Sequence, residues 1–440
     1  MGAACCSSRS VQLVFTPSLR TVMLVAFLVG QRFASGAELI VVWNDLTLRA
    51  IRYANVPPPA AVRQMAIVHL AMFDALDGID RKYKPYLVEK GPVGECSPEA
   101  GVSAAAHHAL RTLFPKSADM LDSHYNAVLA AIPNTAAKTN GIRWGDYVAT
   151  EFLKQRQFDG AGQAAGYAYT EKPGYWAKTP PNYDKPLLPN WGRLKPFAIP
   201  SAAEFRAPAP PDLGSHRWAE QYNQVKQLGA TNSTVRTPAQ REIALFWADG
   251  SGTETPPGHW NKIAQQLARK KDYGLVETAR LFAALNVAMG DAGIVCWETK
   301  YTYNWWRPIT AIRNGAADGN PDTQPDPTWT PLLITPPFPE HVSGHSTFSG
   351  AAAAVLAELS GSDDFAFVTV SDGLPGVVRR FQHFSDAARE AGMSRIYGGI
   401  HFADGNEMGL ESGRRVGSWV TRSLFQPLQK EDRALSKAGF

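Results

Sequence analysis

Three short signatures lie in order between Trp297 and His401: Lys300-x6-Arg307-Pro308, Ser343-Gly344-His345, and Ser394-Arg395-x5-His401. Together they offer three cations, two imidazoles, a hydroxyl and a glycine amide, a set suited to one tetrahedral oxyanion. Lys300 and Arg307 are seven residues apart, two turns of a continuous helix, which would place both on one face with Trp297 one turn earlier. Trp297, Tyr303, Trp305 and Trp306 surround them, an apolar setting in which charges need an anion. Ser343-Gly344-His345 opens an alanine-rich helical run, where free amides and the positive end of the dipole favour an oxyanion. Taken alone, Ser343 is better read as an ordinary N-cap and His345 as a surface residue. Six residues do not return Arg395 and His401 to one helical face, so Gly398-Gly399 must end the helix and swing His401 back. The joint occurrence of the three signatures within about a hundred residues favours the site over the separate readings.

The rest of the chain reads as helices. Of its 440 residues 45% are hydrophobic, enough for a large core and one or two domains. Helical segments are expected at Trp43–Leu76, broken at Pro57-Pro58-Pro59, and at 98–113, 118–132, 141–157, 215–228, 238–248 and 257–269. Others fit 273–314, divided by Pro308, then 343–359, 376–392 and 406–424. The expected fold is all-α, a helical bundle, with an N-terminal region over 38–270 and the oxyanion site in a domain over 271–430. Residues 171–211 hold ten prolines among aromatic residues and read as an ordered loop that walls a site mouth, since disordered linkers are poor in aromatics.

With 19% charged residues, a net charge of +4 and no basic stripe, the chain is not a nucleic-acid binder by composition. Residues 1–37 read as a secretory leader: Arg9 and Arg20, the apolar run Val22–Gly30, and Ser35-Gly36-Ala37 at the expected cleavage point. Export to the periplasm or the extracellular space is therefore expected, with no later membrane span. Cys96 and Cys296 remain beyond that leader and are expected to be unpaired. His107 and His108 are given no role.

The three signatures resemble those of the vanadium-dependent haloperoxidases, the type 2 phosphatidic acid phosphatases and the bacterial acid phosphatases, which share one vanadate or phosphate site. The chain departs from their pattern at Val342, where a proline precedes the serine, a change expected to affect loop stiffness only. The resemblance implies that Lys300, Arg307, Ser343, Gly344 and Arg395 hydrogen-bond the oxyanion. It further implies that His401 bonds the vanadium or phosphorus atom and that His345 is the acid–base residue.

Length favours the haloperoxidase branch over the shorter acid phosphatases and the membrane-spanning lipid phosphatases. Trp297 and Phe338 lie where the chloroperoxidase type places the aromatics flanking its halide, and Asp249, in Phe246-Trp247-Ala248-Asp249-Gly250, matches an aspartate supporting the second arginine. The implied cofactor is vanadate and the implied partners are hydrogen peroxide, a halide and an organic acceptor, with Lys300 polarising the peroxide. His341 would lie near His345, either tuning halide preference or serving only the loop. As a phosphatase, the same site would work through a phosphohistidine at His401, with His345 protonating the leaving alcohol. A non-catalytic oxyanion binder is disfavoured, because anion capture alone needs no acid–base imidazole.

Overall fold

The computed structural model describes residues 36–429, so all but the end of the expected leader at 1–37 lies outside the described residues. Among the described residues there are thirteen α-helices, four short 3-10 helices and one β-hairpin. The first five helices are α1 (Gly36–Ala54), α2 (Pro58–Asp80), α3 (Pro98–Leu113), α4 (Ala118–Ala131) and α5 (Ala136–Arg156). Local chemistry sets their starts. Pro58 and Pro98 sit in the first turns of their helices, where no amide is missed, and the Ser97 hydroxyl accepts from the Ala100 amide.

After the loop come α6 (His216–Gly229), α7 (Pro238–Phe246), α8 (Thr255–Lys270) and α9 (Leu275–Tyr303). Helix α9 is the axis of the fold, packing against α1, α2 and α8 and against the later helices over Gly344–Ser360 and Ala403–Ser423. It corrects the expectation that nothing beyond the leader could span a membrane. By length and hydropathy α9 could, yet 94% of its most apolar window is buried inside the protein, as befits a core helix.

The division of the segment 273–314 falls earlier than Pro308. Asn304 adopts φ 52° and caps α9, and Pro308 opens the short α10 (Pro308–Arg313). Lys300 and Arg307 therefore do not share one helix.

Beyond α10 lie α11 (Gly344–Ser360), β1 (Asp364–Val370), β2 (Val378–His383), α12 (Phe384–Tyr397) and α13 (Ala403–Ser423). Strand β2 and the residues leading into it replace the first half of the helix expected over 376–392. In β1 burial alternates residue by residue, and the inward Phe365 and Phe367 stack with Phe384 at ring distances of 5.2 and 5.7 Å. A period of two with aromatic and β-branched residues favours a strand.

Helices α11 and α13 form the most extensive helix pair. Gly409, Gly413 and Gly417 recur every fourth residue on α13, and a Cβ at Gly413 would collide with the Thr347 carbonyl of α11. Backbone therefore lies directly on backbone, which fixes the start of α11 against the start of α13.

The aromatic loop is ordered, as expected. Asp291 of α9 accepts from the amides of Phe197, Ala198 and Ile199 at 2.6 to 2.9 Å, and the Leu187 amide donates to the Pro337 carbonyl at 2.8 Å.

Candidate active site

The site forms where the C-terminal end of α9, the loop 336–343, the start of α11 and the turn between α12 and α13 meet. A cavity of about 200 Å³ is lined there by Trp297, Phe338, Gly344, His345, Arg395, His401 and Asp249, with Leu187 of the aromatic loop on its wall. A wider surface groove of about 550 Å³ near Tyr169 and Trp176 contains none of the signature residues.

Lys300, Arg307 and Ser343 form the layer behind that lining, and all three are fully buried. Lys300 Nζ donates to the carbonyls of Pro339 and Glu340, each at 2.9 Å. Arg307 donates from Nε to the Phe338 carbonyl at 2.7 Å and from Nη1 to the Ile400 carbonyl at 2.8 Å. The two cations thus converge through the loop that both hold, although a break in the helix separates them.

The third signature folds as expected. Gly399, at φ 77°, reverses the chain after α12, the Ile400 amide returns to the Arg395 carbonyl at 3.0 Å, and His401 faces Arg307. Arg395 donates to the Trp247 carbonyl at 2.8 Å.

Among the described residues, none of the three signature cations makes an ion pair with a carboxylate. Burial pushes Lys300 down to about 7, Arg307 to about 9 and Arg395 to about 10, the last opposed by Asp249. Buried cations held mainly by carbonyls are stabilised by an entering anion. Arg307 Nη2 and His345 Nε2 are buried without a hydrogen-bond partner, two nitrogen atoms left for such a guest. Burial, reinforced by neighbouring arginines, holds His345 and His401 well below the usual imidazole range, so both rings are neutral.

Ser343 is the N-cap of α11, accepting from the Ser346 amide at 3.3 Å, which leaves its hydroxyl proton free to donate. The rings of Trp297 and Phe338 meet at 5.0 Å, and Lys300 Nζ lies 5.0 Å from the Phe338 ring centre.

Asp249 supports Arg395 through its charge and not through a hydrogen bond. It lies near enough to favour that charge, but its carboxylate is hydrogen-bonded to His259 Nδ1 at 3.0 Å. His341 turns out of the cavity, its Nε2 against the Pro208 carbonyl at 2.8 Å. Cys96 and Cys296 are both free and buried, and His107, on the distant α3, pairs with Asp122 of α4.

Two residues escaped the sequence reading. Glu340 accepts from His401 Nδ1 at 2.8 Å, and His259 backs Asp249. A carboxylate in a loop of prolines and aromatics was the available signal for the first. His259 carried no signal, because its partner is ten residues away and meets it only through the turn at Asp249.

The chain is similar to known proteins in sequence and fold. Residues 280–430 match the VCPO second helical-bundle domain. That match spans all three signatures. The vanadium chloroperoxidase of Curvularia inaequalis is 28% identical over 395 residues, which cover 71% of this chain and 64% of that protein. The chain thus spans just under two thirds of that relative's length.

The structure of the first bacterial vanadium-dependent iodoperoxidase superposes with a TM-score of 0.78 at 28% identity, covering 91% of this chain and 99% of that one. A holo bacterial vanadium-dependent chloroperoxidase, 18% identical, shares the fold at a TM-score of 0.66, covering 83% of this chain and 92% of that one. The VCPO-type bundle is mostly helical here too, and the all-α expectation holds with the hairpin as an addition.

Proposed function

We propose that this protein is a vanadate-dependent haloperoxidase that oxidises a halide with hydrogen peroxide to hypohalous acid. The observation that carries the reading is the cavity itself. Two neutral imidazoles and Arg395 open into it, backed by buried cations without ion-pair partners, and an aromatic wall stands beside them. Vanadate, when bound, supplies an electrophilic centre at which hydrogen peroxide becomes an oxygen donor.

The chain's own residues do the rest. Arg307, Arg395, Lys300, Ser343 and the Gly344 amide hold the oxyanion, and the carbonyl anchors of the cations keep them aimed before it arrives. His401 presents Nε2, the nitrogen opposite the one that Glu340 holds, as the ligand. His345, neutral and with Nε2 free, takes the peroxide proton. Lys300 polarises the oxygen to be transferred, and Trp297 with Phe338 forms a dry, polarisable wall for a halide. The leader-like sequence of residues 1–37 supports export.

The test is halide oxidation by metal-stripped protein supplied with orthovanadate and peroxide, with iodide first because the relative at TM-score 0.78 is an iodoperoxidase. Turnover that requires vanadate, falls with added phosphate and disappears in His401→Ala is the expected result. Hydrolysis of a phosphate ester, inhibited by vanadate and without halide turnover, would overturn it.

A further inference from the structure

The two nitrogens of His401 have different partners, and one of these partners, a guanidinium, admits only one proton arrangement. Nε2 lies 3.1 Å from Arg307 Nη1, and a guanidinium can only donate, so Nε2 must carry the lone pair. The proton of the neutral ring is then on Nδ1, which lies 2.8 Å from Glu340 Oε1.

Glu340 is held in turn. The same Oε1 accepts from the Phe402 amide at 3.1 Å, and the Glu340 amide donates to the Trp305 carbonyl at 2.9 Å. Gly405, in the first turn of α13, leaves room for the carboxylate, since a Cβ there would collide with Glu340 Oε1. The Gly405 carbonyl also accepts from the Ser343 amide at 2.8 Å, tying this contact to the start of α11.

We propose that Glu340 is a positioning residue that fixes the tautomer and ring orientation of His401, so that Nε2 faces the oxyanion as a ready ligand. The second half of this statement rests on the vanadate reading above; the tautomer does not. A carboxylate on the far nitrogen of a ligating imidazole both orients the ring and strengthens the ligand, and loss of such a partner costs about 10–100-fold in affinity. The competing role is structural: Glu340 accepts the Phe402 amide at the N-terminus of α13 and would stabilise that end alone.

The experiment compares the full chain with Glu340→Gln, Glu340→Ala, Gly405→Ala and His401→Ala. It uses three readouts: thermal midpoint, orthovanadate dissociation constant by ultrafiltration, and ¹⁵N-histidine NMR spectra without oxyanion, with the His401 signals assigned by their loss in His401→Ala. The expected result is vanadate affinity about 10–100-fold weaker in the two Glu340 variants, with altered His401 nitrogen signals. Gly405→Ala, whose Cβ pushes the Glu340 carboxylate aside, should weaken binding in the same direction. Unchanged nitrogen signals and unchanged affinity in Glu340→Gln, whatever its midpoint, would overturn the proposal and leave a helix cap. If the wild type does not bind vanadate at all, the vanadate reading falls, and the nitrogen spectra still decide the tautomer.

Discussion

Arg307 Nη1 donates both to the Ile400 carbonyl at 2.8 Å and to His401 Nε2 at 3.1 Å, so one guanidinium clamps the turn that presents the imidazole. A lysine cannot reproduce that fork, because its ammonium is a single point of donation. Arg307→Lys should weaken phosphate or vanadate binding by about 10–100-fold, the loss of one charge-assisted hydrogen bond of about 1.5–3 kcal/mol. Equilibrium dialysis with either anion measures it, and an unchanged dissociation constant would remove Arg307 from the site.

The α11–α13 contact makes a prediction opposite to helix propensity. Gly413→Ala in an exposed helix would stabilise by about 1 kcal/mol. Here the added Cβ meets the Thr347 carbonyl, so the variant should instead lose about 1–3 kcal/mol in urea unfolding. A stabilised variant would show that the two helices separate easily.

Two buried histidines should oppose each other in pH. His69, on α2, is pushed down to about 3 by burial, so the unfolded chain binds the extra proton below its ordinary value near 6.5. Its stabilising contribution is full above that value and is lost as the pH falls, by about 2–3 kcal/mol at pH 4.5. For His259 burial acts downward, but Asp249 outweighs it and the value is raised. Its contribution is full below about 6.5 and is lost as the pH rises through the raised value. His69→Gln should flatten the acid limb of a stability–pH curve and His259→Gln the alkaline limb. Chemical denaturation across pH 4.5–9 checks both, and parallel curves for the three proteins would contradict them.

Asp291 ties the aromatic loop to the central helix through three amides. Asp291→Ala strands those amides and should cost about 3 kcal/mol or more. Hydrogen exchange should accelerate at Phe197, Ala198 and Ile199 well before global unfolding. Unaltered protection there would mean that other contacts hold the loop.

Much of the site was legible because its chemistry is written in spacing: Lys300 to Arg307, Ser343 to His345 and Arg395 to His401 all reach one place. The reason given for the first pair was wrong. The helix stops at Asn304, and the loop carbonyls, which no side-chain pattern reveals, gather the two cations. The hairpin was missed because Val378–His383 is short and its two arginines resemble a solvated helix face, whereas the Phe367–Phe381 pairing across β1 determines its structure. Glu340 and His259 act through partners distant in sequence or around a turn, which local pattern cannot report.

Main-chain carbonyls of residues 338–340 and 400 anchor Lys300 and Arg307. Every residue type supplies a carbonyl, so these anchors do not depend on which side chains stand at 338 and 339, whereas the Phe338 ring adds its own contact with Lys300 and Arg307. Phe338 also lines the cavity, so its ring lies between the two cations and the space before them. A single substitution in this short loop would therefore reshape the cavity while the main-chain anchors of both cations stay in place.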